Sequence, residues 1–197
     1  GTFVMNAKDL SLISHVQKIM QTGAIDSFKI EGRTKSEYYV ACATNAYRAA
    51  IDDAAGDKFE AGVYEREIAT LKNRGFSDGY LIKRPYERED TQNLDRSIEL
   101  GTHQVCAISQ DGEFISVKDK ILPGVSYEIF APRGFEICAC DNEIGEIFEL
   151  DGKPYLKFKK LQSRSGKEFS EIHSGNLNEI KLPAKLAEFC FLRKEIE

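Results

Sequence analysis

Hydrophobic positions along the chain change their period near the middle, and the change separates two textures. Helical spacing dominates the first. Residues 2–6 form a short apolar run in which Thr2-Phe3-Val4-Met5 reads as a strand. Asp9 is placed to cap a helix carrying Leu12, Ile13, Val16, Ile19 and Met20, which Gly23 closes. Ser27-Phe28-Lys29-Ile30-Glu31 alternates strictly and predicts a second strand, with Phe28 and Ile30 on one face and Ser27, Lys29 and Glu31 on the other. Ser36 caps the next helix, whose apolar positions run through Tyr39, Val40, Ala43, Ala46, Tyr47, Ala50 and Ile51. A third helix is predicted from about Val63 to Asn73. Strand, helix, strand, helix with short connections is the order of a parallel α/β fold.

Residues 83–97 are charged and nearly free of apolar side chains, which predicts a linker. Beyond it, short β-like runs are punctuated by Asp111-Gly112, Pro123-Gly124, Pro132-Arg133-Gly134 and Asp151-Gly152. The predicted strands are 104–109, 113–117, 126–130, 136–140, 144–150, 153–161, 178–182 and 189–194. Strands this short and regular predict a small antiparallel β-barrel. The expected organisation is α/β plus all-β: a barrel remnant with its following helix over 1–82, a linker over 83–97 and an accessory β-barrel over 98–197.

Composition narrows the class. The 197 residues are 42% hydrophobic and 30% charged, with a net charge of −5, which is globular and argues against indiscriminate nucleic-acid binding by the whole surface. No apolar run approaches the roughly 18–20 residues of a membrane helix, and the opening residues do not read as a signal peptide. Five cysteines, Cys42, Cys106, Cys138, Cys140 and Cys190, follow no small-scaffold spacing and are expected as reduced thiols of a cytoplasmic protein.

Candidate chemistry gathers in two polar loops. In a barrel of parallel strands, Lys29 and Glu31 would point into the lumen near the C-terminal rim, where such folds keep their sites. Gly32-Arg33-Thr34-Lys35 follows at a strand-to-helix turn, where backbone amides and the helix dipole favour an anion. Asn6-Ala7-Lys8-Asp9 occupies the equivalent place after the preceding strand.

These residues carry a resemblance. Phe28 through Ser36, followed by Tyr39-Val40-Ala41 and Tyr47-Arg48-Ala49-Ala50-Ile51-Asp52, closely resembles the collagenase-like peptidase family, peptidase family U32. Asn6-Ala7-Lys8-Asp9-Leu10, Asn73-Arg74-Gly75-Phe76 and Gly79-Tyr80 fit it in the same order. Val117-Lys118-Asp119-Lys120, Gly124, Glu128-Ile129, Ala131-Pro132-Arg133-Gly134 and Phe191-Leu192-Arg193-Lys194 look like its C-terminal barrel domain. The Lys-Ile-Glu-Gly-Arg-Thr-Lys-Ser form is most similar to the tRNA hydroxylation branch.

The resemblance implies a TIM-like catalytic barrel of which two βα units are present here, so that this chain is a C-terminal fragment and inactive alone. It implies a parent that hydroxylates the tRNA wobble uridine, with an iron–sulfur cluster and prephenate as oxygen source. The cluster cysteines of the family match none of the five here. Lys29, Glu31 and Arg33 would be catalytic rim residues, and Asn6, Lys8, Asp9 and Lys35 would bind substrate, with Gly32 between them. Partners would be the rest of the barrel and tRNA. Exposed strand edges at 2–6 and 27–31 also predict self-association.

Alternatives remain open on the residues. A collagenase-like protease, a hydrolase with a barrel that captures protein, needs an activated nucleophile; His15, His103 and His173 sit in no recognisable hydrolase motif. A purely structural barrel is the third reading. Cys138-Ala139-Cys140 could place two thiols together, but without a second pair it predicts buried or half-buried thiols rather than zinc. Lys157, Lys159, Lys160, Arg164 and Lys167 form a cationic segment free of acids, with Tyr155 and Phe158 interleaved, and are the candidate RNA contacts.

Overall fold

The computed structural model describes residues 6–83, 91–94 and 101–196. The chain divides into two units, Gly1–Thr102 and His103–Glu197. The apolar run over 2–5 and most of the charged stretch over 83–97 lie outside the described residues.

In the first unit, β1 (Asp9–Leu10) leads into a 3-10 turn (Ile13–His15) and α1 (Val16–Gln21). Asp9 therefore does not cap the helix: it belongs to the strand, and the helical segment begins without a side-chain cap. The reason is that the Asp9 carboxylate is claimed by Arg74, 65 residues away. The alternating segment over 27–31 forms no strand either. It has no ladder partner among the described residues, and alternation cannot hold a strand without one.

Helix α2 (Glu37–Ala55) starts where expected, because the Ser36 hydroxyl accepts the Tyr39 amide at 3.2 Å. Its buried positions are Tyr38, Cys42, Ala43, Ala46 and Ala50, and Val40 is exposed, so the inward stripe is rotated from the one predicted. After α3 (Ala61–Ala69), β2 (Phe76–Ser77) pairs parallel with β1, with Asp9 opposite Phe76 and Leu10 opposite Ser77. That two-residue pair is the parallel sheet seen among the described residues. Ile13, Val16, Ala46, Ala50, Tyr64 and Ile68 pack the space beneath it.

The second unit is antiparallel. Its strands are β3 (His103–Ser109), β4 (Phe114–Val117), β5 (Ser126–Phe130), β6 (Cys140–Asp141), β7 (Gly145–Leu150), β8 (Lys153–Phe158), β9 (Leu161–Gln162), β10 (Glu168–Phe169), β11 (Ile180–Lys181) and β12 (Cys190–Glu195). Eight of them form one sheet in the order β11-β4-β3-β12-β5-β8-β7-β6, and β9 and β10 form a separate hairpin. The ladder does not close into a barrel. Its ends are joined by a side chain: Asn142, just past β6, donates to the Pro183 carbonyl beyond β11 at 2.7 Å. The curled sheet encloses Cys106, Ile115, Tyr127, Ile129, Leu156, Phe158, Leu192 and their neighbours. Residues 135–139 lie outside any strand, and Glu168–Phe169 is a strand that the sequence pattern did not show.

The turn between β3 and β4 requires glycine. Gly112 has φ +76°, and a Cβ there would lie 2.1 Å from the Leu186 carbonyl oxygen. Central strand β12 is held by charge as well as by its ladder. On the face turned away from the core, Arg193 is 1% exposed and donates to Glu128 of β5 at 2.5 Å. Lys153 and His103 reach the same carboxylate at 3.2 and 3.3 Å. Burial pushes the Glu128 carboxyl up, but hydrogen bonds from His103 and Arg193, with the Arg193 and Lys153 charges, outweigh it and hold it at about 2.

All five cysteines are free thiols; Cys42, Cys106 and Cys190 are buried, Cys140 is half-buried and Cys138 exposed. The exposure of Cys138 departs from the expectation of a buried or half-buried thiol, because the chain around it leaves the ladder. Burial pushes the Cys106 and Cys190 thiols up to about 11.

A depressed carboxyl stabilises the fold above its ordinary titration range and loses that contribution as the pH falls through the folded value. Glu128→Gln is expected to cost about 3–5 kcal/mol at neutral pH. It should also flatten the fall in stability between about pH 4.5 and 2. Urea midpoints across that range check this, and equal slopes for the two proteins would contradict it. Iodoacetamide on the folded chain is expected to label Cys138 and then Cys140, well ahead of the three buried thiols. Mass mapping that finds all five labelled together would contradict the packing.

Candidate functional site

Asp9 organises the first unit. At 9% exposure its carboxylate must be compensated, and two cations and a backbone amide do so. The Arg74 guanidinium donates to it at 2.9 Å, the Arg74 backbone amide donates at 3.3 Å, and the Lys35 ammonium lies 3.8 Å away. The Asp9 amide in turn donates to the Gly75 carbonyl at 2.8 Å, so that β1 and the approach to β2 are tied by side chain and backbone together.

Lys35 is delivered by a turn in which its amide donates to the Gly32 carbonyl at 2.9 Å, immediately before the Ser36 cap. Its ammonium also stands 4.9 Å from the Tyr39 ring centroid. Burial, with the nearby Asp9 charge, raises the Tyr39 hydroxyl above the usual tyrosine value, so it remains a neutral donor. The Tyr47 hydroxyl accepts the Leu12 amide at 2.9 Å and fixes the segment after β1.

These groups border a cavity of about 360 Å³. Asp9, Lys29, Glu31, Arg33, Lys35 and Arg74 supply its charged lining, and Phe28, Tyr39, Tyr47 and Phe76 its aromatic walls. Four cations against two carboxylates give it a positive balance. Five of the seven residues singled out from the two loops therefore meet at one place, although residues 27–31 form no strand. Lys29 and Glu31 are 87% and 71% exposed and pair weakly at 3.8 Å. Asn6 and Lys8 serve elsewhere: the Asn6 side chain donates to the Asn93 carbonyl at 3.0 Å, and the Lys8 amide to Thr91 at 2.9 Å. Arg74 was missed from sequence. A basic residue ahead of a short apolar run is an ordinary pattern, and its partner lies 65 residues away.

The cationic segment of the second unit is laced with acids. Lys157 pairs with Glu146 at 3.4 Å, Lys159 with Asp141, and Lys160 with Glu143 at 3.2 Å. Arg164 bridges Asp111 and Glu179 at 2.8 and 3.0 Å. Lys167 stands 4.9 Å from the Phe169 ring centroid. Phe158 is fully buried in the core and Tyr155 points to the other face, so of the two aromatics only Tyr155 can meet a ligand.

Each histidine faces a carboxylate: His15 with Asp78 at 3.2 Å, His103 with Glu128, and His173 with Glu171 at 3.0 Å. Among the described residues, no group of three His, Cys, Asp or Glu side chains is placed to hold a metal ion. No described helix is long and apolar enough to cross a membrane.

Asp9→Asn keeps the side-chain volume and removes the charge that Arg74 and Lys35 share. It is expected to destabilise the chain by about 1.5–3 kcal/mol, read as a lowered urea midpoint. An unchanged midpoint would mean that Asp9 does not organise the unit.

Residues 1–91 match the family model for peptidase family U32. The tRNA hydroxylation protein P of Helicobacter pylori (strain ATCC 700392 / 26695) is 45% identical over 197 residues, which is all of this chain and 47% of that protein. The tRNA hydroxylation protein P of Escherichia coli is 37% identical over 76% of this chain and 34% of its own length. A collagenase of Porphyromonas gingivalis is 36% identical over 41% of this chain and 23% of its own. The chain thus spans about half the length of the Helicobacter relative. No solved structure matches it. Residues 1–91 are thus similar to peptidase family U32, and the whole chain is similar to tRNA hydroxylation protein P.

Proposed function

We propose that this chain works in tRNA hydroxylation, as part of a longer cytoplasmic protein that modifies the wobble uridine. The observation that carries this reading is the likeness to tRNA hydroxylation protein P over all 197 residues, across both units, whereas the likeness to collagenase covers 41% of the chain.

In this reading β1 and β2 belong to a larger parallel barrel, and the cavity beside Asp9 faces its lumen. The positive lining suits an anionic group of the substrate. Arg74 and Lys35 would hold it, with Asp9 fixing the direction of both cations. Lys29, Glu31 and Arg33 would stand nearer the reacting atoms, free to adjust because they are exposed. Asn6 and Lys8 would act indirectly, by anchoring the chain around 91–93. The antiparallel unit would help position the RNA. With only part of the barrel, the 197-residue chain alone would not turn over.

Mass spectrometry of tRNA nucleosides tests this. Cells lacking the whole protein that contains this sequence are expected to lose wobble-uridine hydroxylation. The whole protein should restore it and the 197-residue chain should not. Unchanged hydroxylation in the deletion strain would overturn the proposal in favour of proteolysis.

A further inference from the structure

The second unit presents a feature that its ion pairs do not account for. Phe148 of β7 and Tyr155 of β8 are direct cross-strand partners on the face turned away from the core, with ring centroids 6.0 Å apart and planes inclined by 21°. Both are half-buried, although the residues beside them in sequence, Ile147 and Leu156, carry the core packing. Along β8, Lys153, Tyr155 and Lys157 occupy every second position, so they share this face at roughly 6.6–6.8 Å intervals. Their side chains run lysine, aromatic, lysine, and the two ammonium-bearing chains are 48% and 41% exposed.

We infer that this face of the β7–β8 hairpin is a stacking site for unpaired bases of single-stranded RNA, with Phe148 and Tyr155 as the platform and Lys153 and Lys157 reaching the flanking phosphates. The inference rests on the tRNA reading above and replaces the broader cationic segment as the place of contact. An aromatic platform takes any base by its π face, and flanking cations track the backbone, which is the combination that binds single strands without reading their sequence. Charge on the face favours the same occupant. Glu128 is met by two permanent cations, Arg193 and Lys153, as well as by His103, which leaves this end of the face with a positive balance. Glu146, 3.4 Å from Lys157, is the carboxylate that a phosphate would displace. Lys159, Lys160 and Arg164 are paired with acids in the same way as Lys153 and Lys157, but Phe158, the aromatic next to Lys159, is in the core.

Fluorescence anisotropy of the 197-residue chain with a labelled uridine-rich RNA decamer tests the site. Phe148→Leu and Tyr155→Leu keep apolar bulk while removing the rings, and each is expected to weaken binding roughly tenfold. Lys157→Gln should lower the salt slope by about one, and Glu146→Gln should strengthen binding. A blunt RNA duplex, whose bases are already stacked, should show no dependence on the rings. If the leucine variants unfold, photocrosslinking of 4-thiouridine RNA to the unaltered chain decides, with adducts expected within residues 146–157. Unchanged affinity in folded ring variants, adducts confined to other segments, or no binding of the decamer would each overturn the site. Such a result would leave the tRNA reading to the nucleoside experiment, which does not involve this face.

Discussion

A carboxylate removed from water must be met by positive charge, and in the first unit that requirement at Asp9 determines what the surrounding segments can do. The residue lies in a two-residue strand too short to hold itself. Arg74 and Lys35 come to it from two separate segments, one just ahead of β2 and the other just ahead of α2. The pairing brings β1 alongside β2, delivers the Gly32–Lys35 turn to the same place, and leaves the space between them lined by cations. Structure and candidate chemistry depend on the same contact.

The second unit solves a similar problem with different elements. Glu128 on β5 draws in Arg193 from β12, Lys153 from β8 and His103 from β3, so one carboxylate spans four strands that are adjacent in the sheet. Its place on the face away from the core leaves the inner face free for aliphatic and aromatic packing. The same separation of faces sets Phe148 and Tyr155 outward while Ile147 and Leu156 fill the interior. It also explains why a cluster of cations in the sequence is a poor guide to a binding surface. Lys157, Lys159 and Lys160 are near neighbours along the chain, yet each meets a different acid, Glu146, Asp141 or Glu143, brought in by strand pairing or by the turn between β6 and β7. A cation that is already paired contributes less to the field felt by a distant polyanion.

What the sequence by itself determined was local. The Ser36 cap, the amphipathic run of α2, the Gly112 turn and most strands of the second unit were legible because a hydroxyl near an amide, a 3.6-residue period, a positive φ and a two-residue period all act between near neighbours. Asp9, Lys29, Glu31, Arg33 and Lys35 were legible as candidates because polar residues gather in two adjacent loops. Tertiary structure decided the rest. Whether 27–31 pairs as a strand depends on a partner strand, and none is present among the described residues. Asp9 binds Arg74 rather than capping a helix because a buried charge outweighs a single amide. Whether the antiparallel sheet closes depends on where its two end strands arrive, and here Asn142 bridges them with a side chain instead of a ladder. The last two are contacts between residues 65 and 41 positions apart, and contacts at that range leave no period in the sequence.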